Sequence, residues 1–290
     1  MHVSTETRRV PRGRAFALVV VVMALCGAFA ATSSAGAATY TALGDSYAAG
    51  PLIPNQSLNP LGCFRSDHNY AHLTASAKSL TLTDVSCSGA TTNDMTEAQN
   101  VEPGPNPPQF NGLSAGTGVV SLTIGGNDIG FTEIIENCIT YNPFSTPCKD
   151  KYDPGGHDQL AERIENAAPK VAAVLQGIHS RSPNARVFVV NYPQILPTGS
   201  GCWPTMPLGF GDVPYLRATE ERLNSMLATQ AALNNATIVN WYAASAGHDA
   251  CKSSGTRWVE PLIPSELAFP VHPNKAGMAG GAAALEAAIG

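Results

Sequence analysis

The stretch Thr39–Ser46, TYTALGDS, decides how the rest of the chain is interpreted. Its β-branched and apolar residues predict a β-strand from residue 39 to residue 43. The small and polar residues that follow, Gly44 to Ser46, predict a tight turn at the carboxyl end of that strand. Ligands bind beyond the carboxyl ends of strands in open α/β sheets, so Ser46 is a candidate nucleophile. The alternative interpretation is a turn in which Asp45 or Ser46 only caps the next helix.

Strands and helices are predicted to alternate along the rest of the chain. Further strands are predicted at Leu80–Ser86, Val119–Ile124, Ala185–Asn191 and Thr237–Trp241. Helices are predicted at Ser66–Leu80, Asp158–Ser180, from Pro214 to about Leu233 with Asp212 as the cap, and at Pro273–Ile289. Most of the strands are continuous apolar runs, which is typical of a parallel sheet covered on both faces. We therefore expect one α/β domain in three layers, with a central, mostly parallel, five-stranded sheet.

Three turns of this predicted sheet carry residues that are suited to acyl transfer. Ser46, Gly89 and Asn127 each follow the carboxyl end of a different strand, and right-handed crossovers bring such ends to one edge. Acyl transfer needs a nucleophile, donors for an oxyanion and a base. Ser46 can supply the nucleophile, while the backbone N–H groups of Ser46 and Gly89 and the amide of Asn127 can supply the donors. The alternative interpretations are structural: a turn glycine at position 89, and a helix cap or turn asparagine at position 127.

The first 37 residues are predicted to be a signal peptide. Arginines at positions 8, 9, 12 and 14 form a basic segment, and residues 15–30 are apolar and uncharged. Ala35-Gly36-Ala37 then fits a cleavage site of the A-x-A kind. About 16 apolar residues are short for a membrane span. Export is therefore expected, by an unspecified route, and residues 38–290 are expected to form one domain.

The charge of the predicted mature chain argues against some partners. The signal peptide contains four of the 17 basic and one of the 22 acidic residues, which leaves 13 and 21 and a net charge of −8. An acidic chain lacks the basic surface that nucleic acids and anionic membranes require. We expect neither nucleic-acid binding nor stable membrane insertion.

Six cysteines remain after cleavage, and an even number in an exported chain indicates three disulfides. Zinc is the rival interpretation, but the chain has no Cys-x-x-Cys pair or clustered histidines to support it. Spacing alone cannot choose among the 15 possible connectivities.

Four short blocks together resemble the GDSL family, also called the SGNH hydrolases. They stand in the family's order: Gly44-Asp45-Ser46-Tyr47, Ser88-Gly89-Ala90, Gly125-Gly126-Asn127-Asp128, and Phe269-Pro270-Val271-His272 directly before the last helix. The resemblance extends from Thr39 to Gly277 and is to secreted actinobacterial esterases and lipases. It implies a flavodoxin-like SGNH hydrolase fold, an extracellular location and a serine carboxylic-ester hydrolase without cofactor or metal.

The resemblance also implies a role for each matching residue. Ser46 is expected to be the nucleophile and His272 its base, with an oxyanion hole formed by Ser46, Gly89 and Asn127. His248 is the competing histidine, and His68, His72, His157 and His179 are interpreted as surface residues. The implied disulfides join neighbours along the chain: Cys63–Cys87, Cys138–Cys148 and Cys202–Cys251.

One position departs from the family's pattern. An Asp commonly stands three residues before the catalytic histidine, whereas this chain has Phe269 there. Some secreted relatives orient the histidine with a main-chain carbonyl, and we expect the Phe269 carbonyl to accept a hydrogen bond from the His272 ring. Asp128 and Asp249 remain alternative partners.

The substrate is expected to be an ester or a lipid, and the protein a monomer. The apolar loops at Leu52–Ile53 and Trp203–Phe210 are candidates for an acyl pocket. A carbohydrate deacetylase is the runner-up among enzymes, although few aromatic or acidic platforms for a sugar are evident. A disulfide-stapled binding module without activity is the rival from another class.

Overall fold

The computed structural model describes residues 1–9 and 38–290. The apolar run and the cleavage site of the predicted signal peptide, within residues 1–37, therefore lie outside the described residues. The division into a signal peptide and a domain at residues 38–290 stays a prediction.

A five-stranded parallel sheet forms the centre of the domain. Its strands are β1 (Thr39–Gly44), β2 (Thr81–Asp84), β3 (Val119–Thr123), β4 (Arg186–Val190) and β5 (Thr237–Val239). They lie in the order β2-β1-β3-β4-β5, and every neighbouring pair is parallel. This is the strand order of flavodoxin-like folds. The predicted fold class is confirmed.

Helices cover both faces of the sheet. The bounds of the helices are α1 (Ser46–Ala49), α2 (Tyr70–Lys78), α3 (Phe131–Cys138), α4 (Pro147–Tyr152), α5 (Gln159–Arg181), α6 (Asp212–Leu233), α7 (Trp241–Ala244) and α8 (Lys275–Ile289). Side chains of α5 and α6 pack in one hydrophobic cluster, and those of α2 and α8 pack in the other.

The alternation of side chains along the strands explains the two clusters. On β4, Val187 and Val189 belong to the cluster under α5 and α6, while Phe188 and Val190 belong to the cluster under α2 and α8. Successive residues of a strand point to opposite faces, so a strand that is buried on both faces must be apolar throughout. This is why the strands are continuous apolar runs in the sequence.

The strand order also fixes where a ligand can bind. The chain moves from β1 outward to β2 on one side, and then to β3, β4 and β5 on the other. The direction of winding reverses at β1, and crevices at such switch points are the usual ligand sites of open α/β sheets. Ser46, two residues after Gly44 at the end of β1, lies at this point.

Two predicted helix starts are wrong. Helix α2 begins at Tyr70 rather than at Ser66, because the side chain of Asn69 caps it by accepting from the His72 N–H at 3.0 Å. Asp212 is the first residue of α6 and does not cap that helix. Its carboxylate instead accepts from the N–H groups of Cys148 and Lys149, at 3.0 and 2.9 Å, at the start of α4.

Three disulfides are present, with the pairing that the family resemblance implies. They join Cys63 to Cys87, Cys138 to Cys148 and Cys202 to Cys251. The first of them ties the loop before α2 to the segment that leads into Gly89. None of the helices within residues 1–9 and 38–290 has the length and apolar character needed to cross a bilayer.

Candidate active site

Ser46 and His272 meet although 226 residues separate them in the sequence. Ser46 is the first residue of α1, and the preceding Asp45 caps this helix by accepting from the Tyr47 N–H at 2.9 Å. His272 lies just before the first turn of α8. Its Nε2 is 2.7 Å from the Ser46 Oγ. The geometry is that of a serine nucleophile with a base in hydrogen-bond contact.

The turn that carries Ser46 is held by close backbone packing at Gly44. This residue has a φ of +146°, and a Cβ there would lie 2.5 Å from the Thr123 carbonyl oxygen. Gln109, fully buried, binds Gly44 on both sides: its Oε1 accepts from the Gly44 N–H at 2.8 Å, and its Nε2 donates to the Gly44 carbonyl at 2.9 Å. The clamp by Gln109 is a feature that the sequence analysis missed.

The group that orients His272 is the carbonyl of Pro270, which corrects the prediction for Phe269. The His272 Nδ1 is 2.8 Å from the Pro270 oxygen. The Phe269 carbonyl instead accepts from the backbone N–H of His272, at 3.1 Å in a tight turn. A carbonyl can only accept, so Nδ1 carries the proton and Nε2 is free to accept from the Ser46 hydroxyl.

Both carboxylates that were alternative partners of His272 are bound to other groups. Asp128 accepts from the Thr92 N–H at 3.1 Å and from the Thr92 hydroxyl at 2.5 Å. Asp249 is buried, accepts from the Cys251 N–H at 3.0 Å and lies 3.5 Å from the Lys252 ammonium. Neither carboxylate has a hydrogen bond to His272.

The backbone next to His272 is strained and held in place from two sides. Val271 has a φ of +60°, in the left-handed region that β-branched residues rarely adopt. The Tyr47 hydroxyl donates to the Val271 carbonyl at 2.7 Å, while the Val271 N–H donates to the Glu260 carbonyl at 3.1 Å. The Glu260 N–H in turn donates to the His272 carbonyl at 2.9 Å. These bonds keep the turn in the conformation that points the imidazole at Ser46.

Aromatic rings surround the imidazole of His272. Tyr47, Phe269 and Phe131 lie with their ring centroids 4.8, 5.3 and 6.2 Å from it. His272 is only 7% exposed, and this burial lowers its pKa to about 4, although the hydrogen bond to the Pro270 carbonyl favours the charged form. The imidazole is therefore neutral over most of the pH range.

This lowered pKa predicts the acidic limb of the pH profile. A general base must be neutral to take the proton of Ser46, and His272 becomes charged only as the pH falls through the lowered pKa. We expect kcat/KM to hold constant down to about pH 5 and then to fall, with an apparent pKa near 4. The measurement is kcat/KM for a soluble aryl ester between pH 3.5 and 8. An acidic limb near pH 6.5, the ordinary histidine value, would contradict the buried imidazole.

Three hydrogen-bond donors follow the carboxyl ends of β1, β2 and β3, namely the N–H groups of Ser46 and Gly89 and the side-chain amide of Asn127. Within the described part of the chain, neither the Ser46 nor the Gly89 backbone N–H has a hydrogen-bond acceptor. The Asn127 amide donates one of its two N–H bonds to the Ala90 carbonyl at 2.9 Å, which holds the side chain and leaves the second N–H available. Gly89 and Asn127 are thereby linked through Ala90.

A buried hydrogen-bond chain connects the first block to the third. The Tyr192 hydroxyl donates to Asp45 at 2.5 Å and accepts from the Gly126 N–H at 2.8 Å. Burial raises the pKa of Asp45 to about 7, although the bonds from Tyr192 and from the Tyr47 N–H act in the opposite direction. Tyr192, on the segment after β4, is a second positioning residue that the sequence analysis missed.

The competing histidine has a structural environment. His248 is stacked on Trp258 at a centroid distance of 4.3 Å, and its Nδ1 is 2.5 Å from the Thr256 carbonyl. The other four histidines of the domain are partly or largely exposed and contact neighbouring loops or helix ends. No group of three or more His, Cys, Asp or Glu side chains in the described ranges is arranged to hold a metal ion.

An apolar cavity of about 60 Å³ lies beside the site. It shares Phe131 with the surroundings of His272 and Gly126 with the third block. The rest of its wall comes from α3, from α6 and from the segment after β4, and is mostly leucine and isoleucine. The loops at 52–53 and 203–210, which were candidates for an acyl pocket, are not part of this wall.

Comparisons with known proteins show the family to which the chain belongs. The model of the GDSL-like lipase/acylhydrolase family matches residues 42–279. Lipase 2 of Streptomyces coelicolor is 42% identical over 246 residues, which cover 82% of this chain and 81% of that protein.

Two solved structures are similar along almost their whole length. Both are 27% identical to this chain, with a TM-score of 0.70 over 87% of it. They are phospholipase A1 from Streptomyces albidoflavus, of which 99% is covered, and an extracellular lipase from Streptomyces rimosus, of which 100% is covered. Sequence, fold and site thus point to one group of enzymes rather than to a binding module. The chain belongs to the GDSL-like lipase/acylhydrolase family and is a carboxylic ester hydrolase.

Proposed function

We propose that the protein hydrolyses esters through a covalent acyl-enzyme on Ser46. The observation that carries this proposal is the 2.7 Å contact between the Ser46 Oγ and the His272 Nε2. His272 takes the hydroxyl proton as Ser46 attacks the ester carbonyl, and then passes it to the leaving alcohol. Water, activated by the same imidazole, hydrolyses the acyl-enzyme and restores Ser46.

The oxyanion of each tetrahedral intermediate is stabilised by the N–H groups of Ser46 and Gly89 and by the Asn127 amide. The unpaired backbone N–H groups and the fixed orientation of Asn127 support this assignment. Donors that are held in place before the reaction cost no reorganisation when the charge develops.

The working unit is a dyad of Ser46 and His272, without a carboxylate. The Pro270 carbonyl fixes the tautomer of the imidazole. A carbonyl stabilises the imidazolium less than a carboxylate would. The strained turn at Val271 and the aromatic rings around His272 take over the other role of a carboxylate, which is to hold the imidazole in place. They restrict it to the orientation that reaches Ser46.

The substrates are esters with an apolar acyl group, and the enzyme works outside the cell as a monomer. The apolar cavity beside Phe131 supports an apolar acyl group, because most of its wall is leucine and isoleucine. The polar side chains of the wall, Tyr192, Thr219 and Glu220, are hydrogen-bonded to other groups of the protein. Three disulfides and the predicted signal peptide support export, since disulfides persist in oxidising compartments. Hydrolysis of aryl esters from acetyl to palmitoyl, beside acetylated xylan, separates this class from a carbohydrate deacetylase.

Replacing Asn127 tests the oxyanion hole. Asn127→Ala should lower kcat by about 10²-fold to 10³-fold, the usual effect of losing one oxyanion donor. Its KM should change little, since the lost bond forms in the transition state. Thermal unfolding, measured in parallel, should stay close to wild type. A variant with a lowered unfolding temperature but wild-type kcat while folded would show that Asn127 only stabilises the turn.

A further inference from the structure

The oxyanion donor at Gly89 belongs to the peptide bond between Ser88 and Gly89. In a trans peptide, the N–H and the C=O are coplanar and point in opposite directions, so a contact that fixes one also fixes the other. The C=O of this peptide, on Ser88, accepts a hydrogen bond from the Gln99 Nε2 at 2.8 Å. The C=O of this peptide thus faces Gln99, and its N–H points in the opposite direction.

This peptide lies at the centre of a turn that has two available forms. The Ala90 N–H donates to the Cys87 carbonyl at 3.1 Å, and Gly89 has a φ of +80°. A positive φ at the third residue is characteristic of a type II turn, whereas a type I turn has the central peptide rotated by roughly 180°. Glycine populates both signs of φ readily. A rotation would replace the donor N–H with a carbonyl that faces the oxyanion.

The segment before the turn is held by two contacts, but these contacts do not determine which way the Ser88–Gly89 peptide is rotated. Cys87 is held by its disulfide to Cys63, and the Ser88 N–H donates to the Cys63 carbonyl at 3.0 Å. Both contacts precede the peptide between Ser88 and Gly89. The bond from Gln99 to the Ser88 carbonyl is therefore the contact that distinguishes the two forms.

Gln99 is placed rigidly for this contact. It is 8% exposed, and its backbone pairs in both directions with Asn106, at 2.9 and 3.0 Å. Its amide must face Ser88 with the nitrogen, because a carbonyl only accepts. The buried Oε1 has no hydrogen-bond partner among the described residues. A buried acceptor without a partner destabilises the fold, so the fold gains little from Gln99 apart from the bond to Ser88.

We infer that Gln99 is a positioning residue of the oxyanion hole, which holds the Ser88–Gly89 peptide with its N–H directed at the oxyanion. This inference rests on the proposed role of Gly89. The same bond polarises the peptide and strengthens its N–H as a donor. Gln99 acts only through this peptide and does not touch the substrate.

The test replaces the donor and keeps the size of the side chain. Gln99→Met should lower kcat by about 10-fold to 100-fold, less than the full loss of a donor, with KM nearly unchanged. The acidic limb of the pH profile should not move, because His272 is untouched. Gln99→Met removes the unpaired Oε1 together with the bond to Ser88, and these effects on stability oppose each other, so its thermal unfolding temperature should stay close to that of wild type. Asn100→Ala, on the exposed neighbouring residue, is the control and should match wild type.

A double-mutant cycle tests whether Gln99 acts through the Ser88–Gly89 peptide. Gly89→Ala keeps the N–H but disfavours a positive φ, so it should loosen the same peptide. The added Cβ would lie 3.5 Å from the Gln99 Nε2, an ordinary contact that leaves the amide in place. Gln99→Met should then lower kcat by a smaller factor in the Gly89→Ala protein than in wild type. In the Asn127→Ala protein it should lower kcat by nearly the same factor as in wild type. An alkyl trifluoromethyl ketone, which forms a tetrahedral adduct on serine, should bind Gln99→Met more weakly by a similar factor to the loss in kcat.

Several results would overturn the inference. Wild-type kcat in Gln99→Met, or a loss of activity that is explained by a lower unfolding temperature of this variant, would mean that Gln99 only stabilises the fold. Full additivity with Gly89→Ala would also contradict the route through this peptide. These failures are distinct from a failure of the proposed function, which would appear as full activity in Ser46→Ala or Asn127→Ala.

Discussion

Replacing His272 with alanine should lower kcat by about 10⁴-fold to 10⁶-fold, the range seen when a serine hydrolase loses its base. The imidazole is the group in contact with the Ser46 hydroxyl, at 2.7 Å, and without it the hydroxyl is a weak nucleophile. The measurement is kcat for a soluble aryl ester at pH 7, together with thermal unfolding. His157→Ala, at an exposed histidine of the same domain, is the matched control and should keep wild-type kcat.

The same measurement of kcat, on two further variants, decides between a dyad and a triad. Asp128→Asn and Asp249→Asn keep the size of each side chain and remove its charge. Both should keep kcat within about tenfold of wild type, because these carboxylates bind Thr92, Cys251 and Lys252 and not His272. A loss of about 10⁴-fold in either variant would mean that a carboxylate completes a triad. Since the orienting group is the Pro270 carbonyl, Phe269→Ala should keep much of the activity.

Replacing Ser46 with alanine should remove the nucleophile and lower kcat by about 10⁴-fold or more. Ser46 is 9% exposed at the start of α1, and its change to alanine removes one oxygen without opening a large cavity. Thermal unfolding should therefore stay close to wild type, which separates loss of chemistry from loss of fold. Ser76→Ala, on the exposed face of α2, is the control. Turnover by Ser46→Ala near the wild-type rate would exclude the acyl-enzyme mechanism.

Much of the fold was predictable because the hydrophobic pattern of a strand or a helix is set by residues that are close together in the sequence. The strands from Thr39, Val119 and Arg186 are apolar runs that need burial on both faces, and the structure has them near the predicted positions. The convergence of Ser46, Gly89 and Asn127 follows from parallel strand order alone. The identity of the base needed more: the position of His272 before the last helix was recognised through its resemblance to a family block.

The errors arose where a distant contact decides a local detail. Asp212 has the sequence context of a cap for α6, but α4 offers it two unpaired N–H groups. The carbonyl that orients His272 depends on the turn geometry, in which the Phe269 carbonyl accepts from the backbone N–H of His272. No local pattern distinguishes these outcomes.

The positioning residues were missed for the same reason. Gln109 and Gln99 both lie in or beside the proline-rich segment at residues 103–108, yet both are buried. Their partners, the Gly44 backbone and the Ser88 carbonyl, are main-chain groups that leave no trace in a sequence motif. A glutamine in a loop becomes informative only when the folded chain shows which peptide it holds.

Covalent labelling of the folded enzyme tests the central claim most directly. A fluorophosphonate reacts with an activated serine, and the modified peptide is identified by proteolysis and mass spectrometry. We expect one label per molecule, on Ser46, with no labelling of Ser46→Ala and strongly slowed labelling of His272→Ala. A label on another serine, or unchanged labelling of the Ser46→Ala protein, would contradict it.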